Sequence, residues 1–288
     1  MVRGLRPALV GRRVLALEVL DASLLQGCSA EEIERQVQGG RVVGVSRRGK
    51  WVVIEFDPTG GIIVIQPRMT GGFLLQSPEP AIHARLVFRM EDSQGPGVVW
   101  YYDARRLGRV AWYSGLEEAQ AAFDRSQGPD ALQIGVLELA RRLGRTRRGI
   151  KSALMDQKIL AGIGNIYADE VLFHARLHPE RPASGLSRAE VSRIQAAIRH
   201  VLEEAIRAEG SSFDSGYRTV LGLEGGFLKS NAVHRRKGMP CPGCGGPILK
   251  TRITGLIGRP TYYCPDCQPR EPRKGRSRAR KSFPPESS

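Results

Sequence analysis

The hydrophobic positions of the chain follow two different patterns, one in the first 118 residues and another from residue 130 onwards. In the first part they form short runs rich in β-branched and aromatic residues, separated by turn-forming segments at 57–61 and 95–97. The clearest runs are residues 51–56, 62–66, 85–89 and 98–102. Short strands with frequent turns are typical of a β-sandwich or a barrel. The pattern therefore predicts an all-β domain, interrupted by a short helix over residues 31–37.

Between residues 130 and 209 the apolar positions recur with the spacing of one face of an α-helix. The predicted helices are residues 136–143, 150–157, 164–174 and 187–209. Ser187 and Glu190 form the sequence signature of a capping box at the start of the last helix. A helical domain is therefore expected after the β-rich one, followed by a Gly- and Ser-rich loop or linker over residues 210–230.

Four of the five cysteines lie in two Cys-x-x-Cys pairs, Cys241 with Cys244 and Cys264 with Cys267. Each pair presents two thiolates from a tight turn, and two pairs supply the ligands of a tetrahedral zinc ion. The segment between the pairs contains two β-rich runs around a glycine turn. The spacing predicts one structural Zn²⁺ that holds a β-hairpin, with two disulfides or four unrelated thiols as the alternatives. Cys28 is interpreted as a small buried hydrophobe.

The charge balance favours a polyanionic partner, because 44 Lys and Arg against 29 Asp and Glu give a formal net charge of +15. Such an excess is typical of nucleic-acid-binding proteins, although other basic proteins share it. Residues 269–288 are rich in Lys and Arg and lack a hydrophobic core, so a disordered basic tail is expected. The tail either adds sequence-independent DNA affinity or is a solvated segment without a specific role. The sequence offers neither a membrane span nor a secretory signal.

Residues 150–170 contain a glycine turn that leads into a helix. Gly162 and Gly164 interrupt the helical pattern, and Asn165 begins the next helix. The N-terminus of a helix exposes backbone N–H groups that bind phosphate well. From these residues alone, an ordinary helix–turn–helix hairpin remains the competing interpretation.

This segment resembles the helix–two-turn–helix of the formamidopyrimidine-DNA glycosylase and endonuclease VIII family of base-excision repair enzymes. The resemblance extends over residues 3–267 and favours the formamidopyrimidine branch. The other matching segments are 3–13, Arg47-Arg-Gly-Lys50, Met69-Thr-Gly71, Asp103-Ala-Arg-Arg-Leu-Gly108, Gly128-Pro-Asp130 and the zinc hairpin ending at 258–264. The implied fold is of the α+β multidomain class, with an N-terminal β-sandwich, a helix–two-turn–helix domain and a C-terminal zinc β-hairpin.

The resemblance implies a DNA glycosylase/AP lyase that removes oxidised purines, namely 8-oxoguanine and formamidopyrimidines, from damaged double-stranded DNA. The target nucleotide is flipped out of the duplex, because its glycosidic bond cannot be reached in the stack. An amine attacks the sugar C1′ to form a Schiff base and release the base, and β,δ-elimination then cleaves the strand.

Residue roles are also implied by the resemblance. Lys50 contacts phosphate and assists proton transfer, and Arg259 grips the phosphate of the flipped nucleotide and assists the second elimination. The other implied DNA contacts are His83, Arg105, Arg147, Asn165, Met69, Leu107 and Lys151. Of these, Met69, Arg105 and Leu107 match the wedge that fills the space left by the flipped base. For Lys151, contact with the damaged base and a helix-capping role both stay open.

The chain departs from the family at its start, where the family carries a Pro-Glu pair whose proline is the nucleophile. Met1-Val2-Arg3 falls part-way along the expected first helix. A start site assigned too far downstream and a paralogue without glycosylase chemistry are the two explanations. Gln66-Pro-Arg68 replaces the usual His-Leu-Gly, and Leu107 replaces the usual phenylalanine. The last two changes bear on substrate preference and leave the fold expectation intact.

The predicted domains are residues 1–118 for the β-sandwich, 130–225 for the helix–two-turn–helix domain, 231–268 for the zinc hairpin and 269–288 for the tail. A monomer in the bacterial cytoplasm, associated with the nucleoid, is expected. The alternative function is that of a non-catalytic, lesion- or DNA-binding zinc protein.

Overall fold

Antiparallel strands build the N-terminal domain of the computed structural model, which describes residues 1–93, 95–211, 218–253, 256 and 258–270. The strands of this domain are β1 (Arg13–Val19), β2 (Arg41–Arg48), β3 (Trp51–Asp57), β4 (Ile62–Gln66), β5 (Gly71–Leu74), β6 (Ala84–Asp92), β7 (Gly95–Asp103) and β8 (Arg109–Tyr113). Their order is β5-β7-β6-β1-β2-β3-β4-β8. β1 and β2 pair only at Arg13 with Arg41 among the described residues, whereas the other neighbours pair more extensively. The strands therefore form two four-stranded layers joined at one edge.

Buried side chains from every one of these strands meet in one hydrophobic cluster. Representative members are Leu17, Val45, Ile54, Ile63, Phe73, Phe88, Tyr101 and Val110. Because the two layers enclose a common core, the domain is a β-sandwich, which confirms the predicted fold class. The predicted runs at 51–56, 62–66, 85–89 and 98–102 lie within β3, β4, β6 and β7.

Three helices cover the sandwich: α1 (Val2–Leu9), α2 (Ala30–Val37) and α3 (Leu116–Ser126). α2 contains the predicted short helix and begins with a capping box between Ser29 and Glu32. The hydrophobic pattern does not predict α3, since Ala119 and Phe123 are its only residues classed as buried. These two side chains pack against the outer face of β3 and β4.

Four further helices, α4 (Val136–Leu143), α5 (Ile150–Met155), α6 (Asn165–His174) and α7 (Arg188–Arg207), enclose a second core. The predicted capping box is confirmed, because Ser187 accepts from Glu190 N and the Glu190 side chain accepts from Ser187 N. α5 ends before the predicted residue 157, because Asp156 adopts an extended conformation. Every residue of α5 is buried, as are Ala168 to Phe173 of α6. This pair of helices therefore lies inside the molecule, where it packs against the segments around it.

The segment predicted as a loop or linker packs against both cores where the structure describes it. Val220 is buried in the sandwich core, and Phe227 is buried in the helical core. Leu75 N donates to Val220 O at 3.0 Å, and Arg218 N donates to Tyr102 Oη at 2.8 Å. Residues 218–230 thus connect the two domains tightly, while residues 212–217 lie outside the described residues.

The C-terminal hairpin consists of β9 (Leu249–Thr251) and β10 (Thr261–Tyr263), which pair antiparallel. A small cluster including Val233, Ile248 and Tyr262 packs it against Phe173 of α6. The predicted tail lies outside the described residues from 271 to 288. Across the residues the structure describes, no helix combines the length and apolar character needed to cross a bilayer.

Candidate active site

Lys50 lies at the turn between β2 and β3 and reaches across to the helical domain. Its Nζ donates to Ile163 O at 2.8 Å, next to Gly164. The residue is exposed overall, but its ammonium group is enclosed at this contact. Burial, together with the positive charges of Arg259 and Arg68, lowers the pKa of Lys50 from 10.5 to about 8. Lys50 therefore lies beside the start of α6, and Arg68 and Arg259 are near enough to it to lower its pKa.

Asp130 fixes the turn that carries Lys50. Its carboxylate accepts from Arg47 Nη1 at 2.6 Å, from Arg47 Nη2 at 3.0 Å and from Gly49 N at 2.7 Å. Gly49 has a φ of +57°, and a Cβ added there would lie 2.8 Å from Gln127 Oε1. The segments Arg47–Lys50 and Gly128–Asp130, which are remote in sequence, thus form one structural unit.

The two turns between α5 and α6 are held by Gln157. Its Nε2 donates to Met155 O and Ile163 O, both at 2.9 Å, and its Oε1 accepts from Gly162 N at 3.1 Å. Gly164 is the N-cap of α6 and provides no side-chain cap. The N-terminal amides of α6 are therefore available to an anion. Asn165 follows at once, and its buried Oδ1 has no hydrogen-bond partner among the described residues.

Two exposed loops bring the predicted wedge residues together. Met69 is 66% exposed and Leu107 is 44% exposed, which is unusual for apolar side chains of this size. Arg105 is also exposed, and its backbone N–H donates to Thr70 Oγ1 at 3.2 Å. Arg68 and Arg106 adopt left-handed conformations, with φ of 57° and 53°. Such strained residues concentrate at functional loops, where the surrounding structure must hold them.

Asp103, at the end of β7, holds both loops and is a site residue that sequence reasoning missed. It is fully buried and accepts hydrogen bonds from the Thr70 hydroxyl, from Arg105 N and from Gly108 N. Its backbone carbonyl accepts from Arg85 Nε at 2.9 Å. The signal in the sequence is an acidic residue directly after the apolar strand run of residues 98–102.

The four cysteines of the hairpin converge. Their Sγ atoms all lie within 4.8 Å of one another, with Cys241 3.7 Å from Cys267 and Cys244 3.5 Å from Cys264. Tetrahedral zinc with Zn–S bonds of about 2.3 Å places its sulfur atoms about 3.8 Å apart, which fits this spacing. Burial raises the pKa of Cys264 to about 11. A bound cation favours the thiolate form of Cys264, and the cluster can hold a metal ion.

Lys151 corrects one of the predicted DNA contacts. Its side chain is fully buried, with Nζ 2.8 Å from Asp169 Oδ1. Nζ also donates to Pro260 O at 3.0 Å and to Thr261 Oγ1 at 2.9 Å. Because no part of the side chain is accessible, Lys151 neither faces a DNA base nor caps a helix.

The two remaining predicted contacts lie outside the main helices and strands. His83 ends a short 3-10 helix, Ala81–His83, and is half-buried. Arg147 is exposed between α4 and α5. Neighbouring arginines line a surface cavity there, namely Arg141, Arg142, Arg145 and Arg148. Arg147 therefore belongs to a strongly basic part of the helical domain.

Comparison with known proteins identifies the family. The formamidopyrimidine-DNA glycosylase N-terminal domain matches residues 1–110, and the formamidopyrimidine-DNA glycosylase H2TH domain matches residues 127–216. The formamidopyrimidine-DNA glycosylase of Roseiflexus sp. (strain RS-1) is 37% identical over 265 residues, covering 90% of this chain and 93% of that protein. The chain belongs to the formamidopyrimidine-DNA glycosylase family. A member from Thermus thermophilus is 36% identical, covering 92% of this chain and 94% of its own.

Solved structures of formamidopyrimidine-DNA glycosylases share the fold over nearly the whole chain. The crystal structure of MutM (Fpg) from Thermus thermophilus matches with a TM-score of 0.80 at 35% identity, covering 94% of this chain and 96% of that one. The Lactococcus lactis Fpg in complex with abasic-site DNA matches with a TM-score of 0.81 at 27% identity, covering 93% and 96%. The same Lactococcus protein bound to DNA containing Fapy-dG matches with a TM-score of 0.80.

Proposed function

We propose that this protein is a base-excision repair DNA glycosylase/AP lyase that removes 8-oxoguanine and formamidopyrimidines from double-stranded DNA. One observation carries the proposal within the family: Lys50 lies at the uncapped N-terminus of α6, with Arg68 and Arg259 near enough to lower its pKa. This group combines a phosphate-binding surface with an amine whose pKa of about 8 lies close to neutrality. General acid–base catalysis is most effective with such a group.

The reaction begins when the amine of the family's N-terminal proline, a residue that does not precede Arg3 in this sequence, attacks C1′ of the flipped nucleotide. The glycosidic bond breaks, the base leaves with the bonding electrons and a proton, and the sugar ring opens to a Schiff base. Loss of a C2′ proton then expels the 3′ phosphate, and a second elimination expels the 5′ phosphate. Lys50 moves protons in the first elimination. Arg259 holds the phosphate of the flipped nucleotide and stabilises the charge that leaves in the second.

The DNA contacts follow the exposed cations and the wedge. Asn165 and the first amides of α6 bind backbone phosphate, with Arg147 and His83 as outer contacts. Met69, Arg105 and Leu107 fill the space vacated by the flipped nucleotide. An aliphatic Leu107 offers less stacking surface to the orphaned base than an aromatic ring, so opposite-base discrimination relies more on Arg105.

The metal of the cysteine cluster is zinc in this proposal. Four thiolates at tetrahedral spacing favour Zn²⁺ over the harder divalent cations. The ion stabilises a hairpin that is too small to fold through its own core. We further propose that the protein acts as a monomer on chromosomal DNA in the bacterial cytoplasm.

The decisive experiment uses a labelled duplex with one 8-oxoguanine and, separately, a duplex with one abasic site. The chain preceded by the family's Pro-Glu segment, which supplies the nucleophilic proline, should cleave both and should form a borohydride-trapped covalent adduct. The chain beginning at Met1 should bind the abasic duplex and form little adduct. Lys50→Met should lower cleavage of the abasic duplex by about 10²-fold or more, the scale of one acid–base group. Lys229→Met, which alters an exposed lysine of the Phe227–Lys229 3-10 helix, serves as the control and should cleave like the wild type. Tight binding without cleavage or trapping by the version that carries the Pro-Glu segment would instead identify a non-catalytic lesion-binding protein.

A further inference from the structure

A buried ion pair lies where the helical domain meets the C-terminal hairpin, and the proposed reaction does not use it. Lys151 of α5 and Asp169 of α6 are 2.8 Å apart, and both side chains are fully buried. Buried ion pairs contribute little net stability, because desolvation offsets most of their attraction, and apolar pairs of equal volume often serve as well. The charges therefore call for an explanation beyond packing.

Both members of the pair reach out of the helical domain to the hairpin. Lys151 Nζ donates to Pro260 O and Thr261 Oγ1, the two residues that directly follow Arg259. Asp169 Oδ2 lies 2.7 Å from His234 Nδ1. The His234 ring packs edge-on against the Tyr262 ring, and the two ring centroids are 5.0 Å apart. The start of β10 is thus held by Lys151 at the Pro260 carbonyl and the Thr261 hydroxyl, and by His234 at the Tyr262 ring.

The segment leading to the hairpin is held by the neighbouring acid. Glu170 accepts from the backbone N–H groups of Ala232, Val233 and His234, at 2.7, 3.0 and 2.8 Å. This carboxylate fixes the backbone that presents the His234 ring to Asp169. Two consecutive acids of α6 therefore hold the segment that leads to the hairpin, Glu170 through its backbone and Asp169 through the His234 ring.

The position of Arg259 depends on this anchorage. Arg259 is exposed, and its backbone N–H donates to Leu256 O at 3.2 Å within the hairpin turn. Pro260, the next residue, is the one whose carbonyl Lys151 binds. Consecutive Cα atoms are about 3.8 Å apart, so a shift of Pro260 moves the Arg259 backbone almost equally.

We infer that Lys151, Asp169 and His234 are positioning residues that set Arg259 against the phosphate, rather than contacts to DNA. The inference rests on the proposed function for the role of Arg259, whereas the anchorage itself does not. A displacement of about 1 Å at a reacting group can lower a rate by about 10²-fold. The step assisted by Arg259, the second elimination, is therefore the one that loosening the anchor slows.

The test is a charge-neutral double variant, Lys151→Met with Asp169→Asn. Met replaces the lysine stem at similar volume, and Asn keeps a polar partner for His234, so no unpaired charge is left in the core. Glu138→Gln is the matched control, because Glu138 is an exposed acid of the same domain that pairs with Arg141 and Arg142. Metal content and thermal unfolding establish that each variant folds.

Two readouts decide the outcome. With abasic-site DNA, the ratio of δ- to β-elimination product should fall about 10- to 100-fold in the double variant, with KM changing far less. Hydrogen exchange of the free protein should show faster exchange at residues 260–264, and the control should match the wild type in both. A merely structural pair would lower stability without changing the product ratio, and unchanged exchange at 260–264 would overturn the anchorage.

Thr261→Val gives a milder variant if the double variant does not fold. It removes one of the two hydrogen bonds from Lys151 to the hairpin and keeps the bond to Pro260 O. The product ratio should shift in the same direction by a smaller factor, and no shift would contradict the inference. If the version that carries the Pro-Glu segment cleaves no lesion or abasic DNA, the proposed function fails. The exchange measurement still decides the anchorage in that case, because it uses no DNA.

Discussion

Replacing Asp130 by Asn should detach the turn that carries Lys50. Asp130 accepts two hydrogen bonds from Arg47 and one from Gly49 N. The side chain of Arg47 is 33% exposed, whereas the side chain of Asp130 is 7% exposed. Asparagine keeps one acceptor oxygen and points an N–H₂ group at a donor. Breaking a buried charge pair costs about 3–5 kcal/mol, and partial exposure of Arg47 lets water replace some of the loss. We therefore expect the free energy of unfolding to fall by about 3 kcal/mol.

Asp124→Asn provides the comparison for this prediction. Asp124 pairs with Arg48 at 2.6 Å, but its side chain is 59% exposed, so its loss should destabilise the protein far less than the loss of Asp130. Urea unfolding measures both values, and cleavage of abasic-site DNA measures the effect on Lys50. Asp130→Asn should lower kcat/KM by about 10²-fold, because Lys50 loses its fixed position. Equal stability losses in the two variants, or full activity in Asp130→Asn, would refute the reasoning.

Three further predictions concern single contacts. Gly49→Ala should destabilise the protein by about 1–3 kcal/mol in urea unfolding, because alanine is strained at a φ of +57° and meets Gln127; an unchanged midpoint would contradict it. DNA affinity of the wild type should weaken as the pH rises through about 8, where Lys50 loses its charge. Lys50→Arg should reduce this dependence in fluorescence anisotropy at fixed salt, and an unchanged pH profile would remove Lys50 from phosphate binding. Cys264→Ser should release the bound metal in elemental analysis while keeping most of the helical circular dichroism, since α4 to α7 have their own core.

The hydrophobic pattern locates the elements whose buried faces are rich in large apolar residues. β3 and β4 carry near-continuous buried runs, and α7 shows a clear apolar stripe behind a capping box. α3 lacks such a stripe, because only Ala119 and Phe123 are classed as buried. The sequence pattern also gives no sign that Val220 and Phe227 are buried, because single apolar residues among glycines do not show periodicity.

The candidate site is predictable where local sequence carries the chemistry, and not where it depends on remote contacts. The Cys-x-x-Cys pairs and the glycine turn before Asn165 are local, and the structure brings the cysteines together as their spacing implies. A DNA contact is the natural expectation for Lys151 because a lysine is normally exposed, yet this one is buried through its pairing with Asp169. That partner lies on another helix, and the other acceptors lie on the hairpin, so no local pattern indicates the contact.

Three buried acids explain how the exposed groups of the site keep their places. Asp103 holds the two loops that carry Met69 and Leu107. Asp130 connects the turn that carries Lys50 to the helical domain. Asp169 connects the C-terminal hairpin to the helical domain through Lys151 and His234. Lys50 and Arg259 come from opposite ends of the chain, yet both are fixed to the segment between residues 130 and 169. Their separation is therefore set by the rigidity of α5, α6 and the two turns, whose residues are largely buried. Like charges repel, and the hydrogen bonds of these carboxylates help to hold the two cations in place against that repulsion. In the proposed complex with DNA, a phosphate bound between the two cations relieves the repulsion.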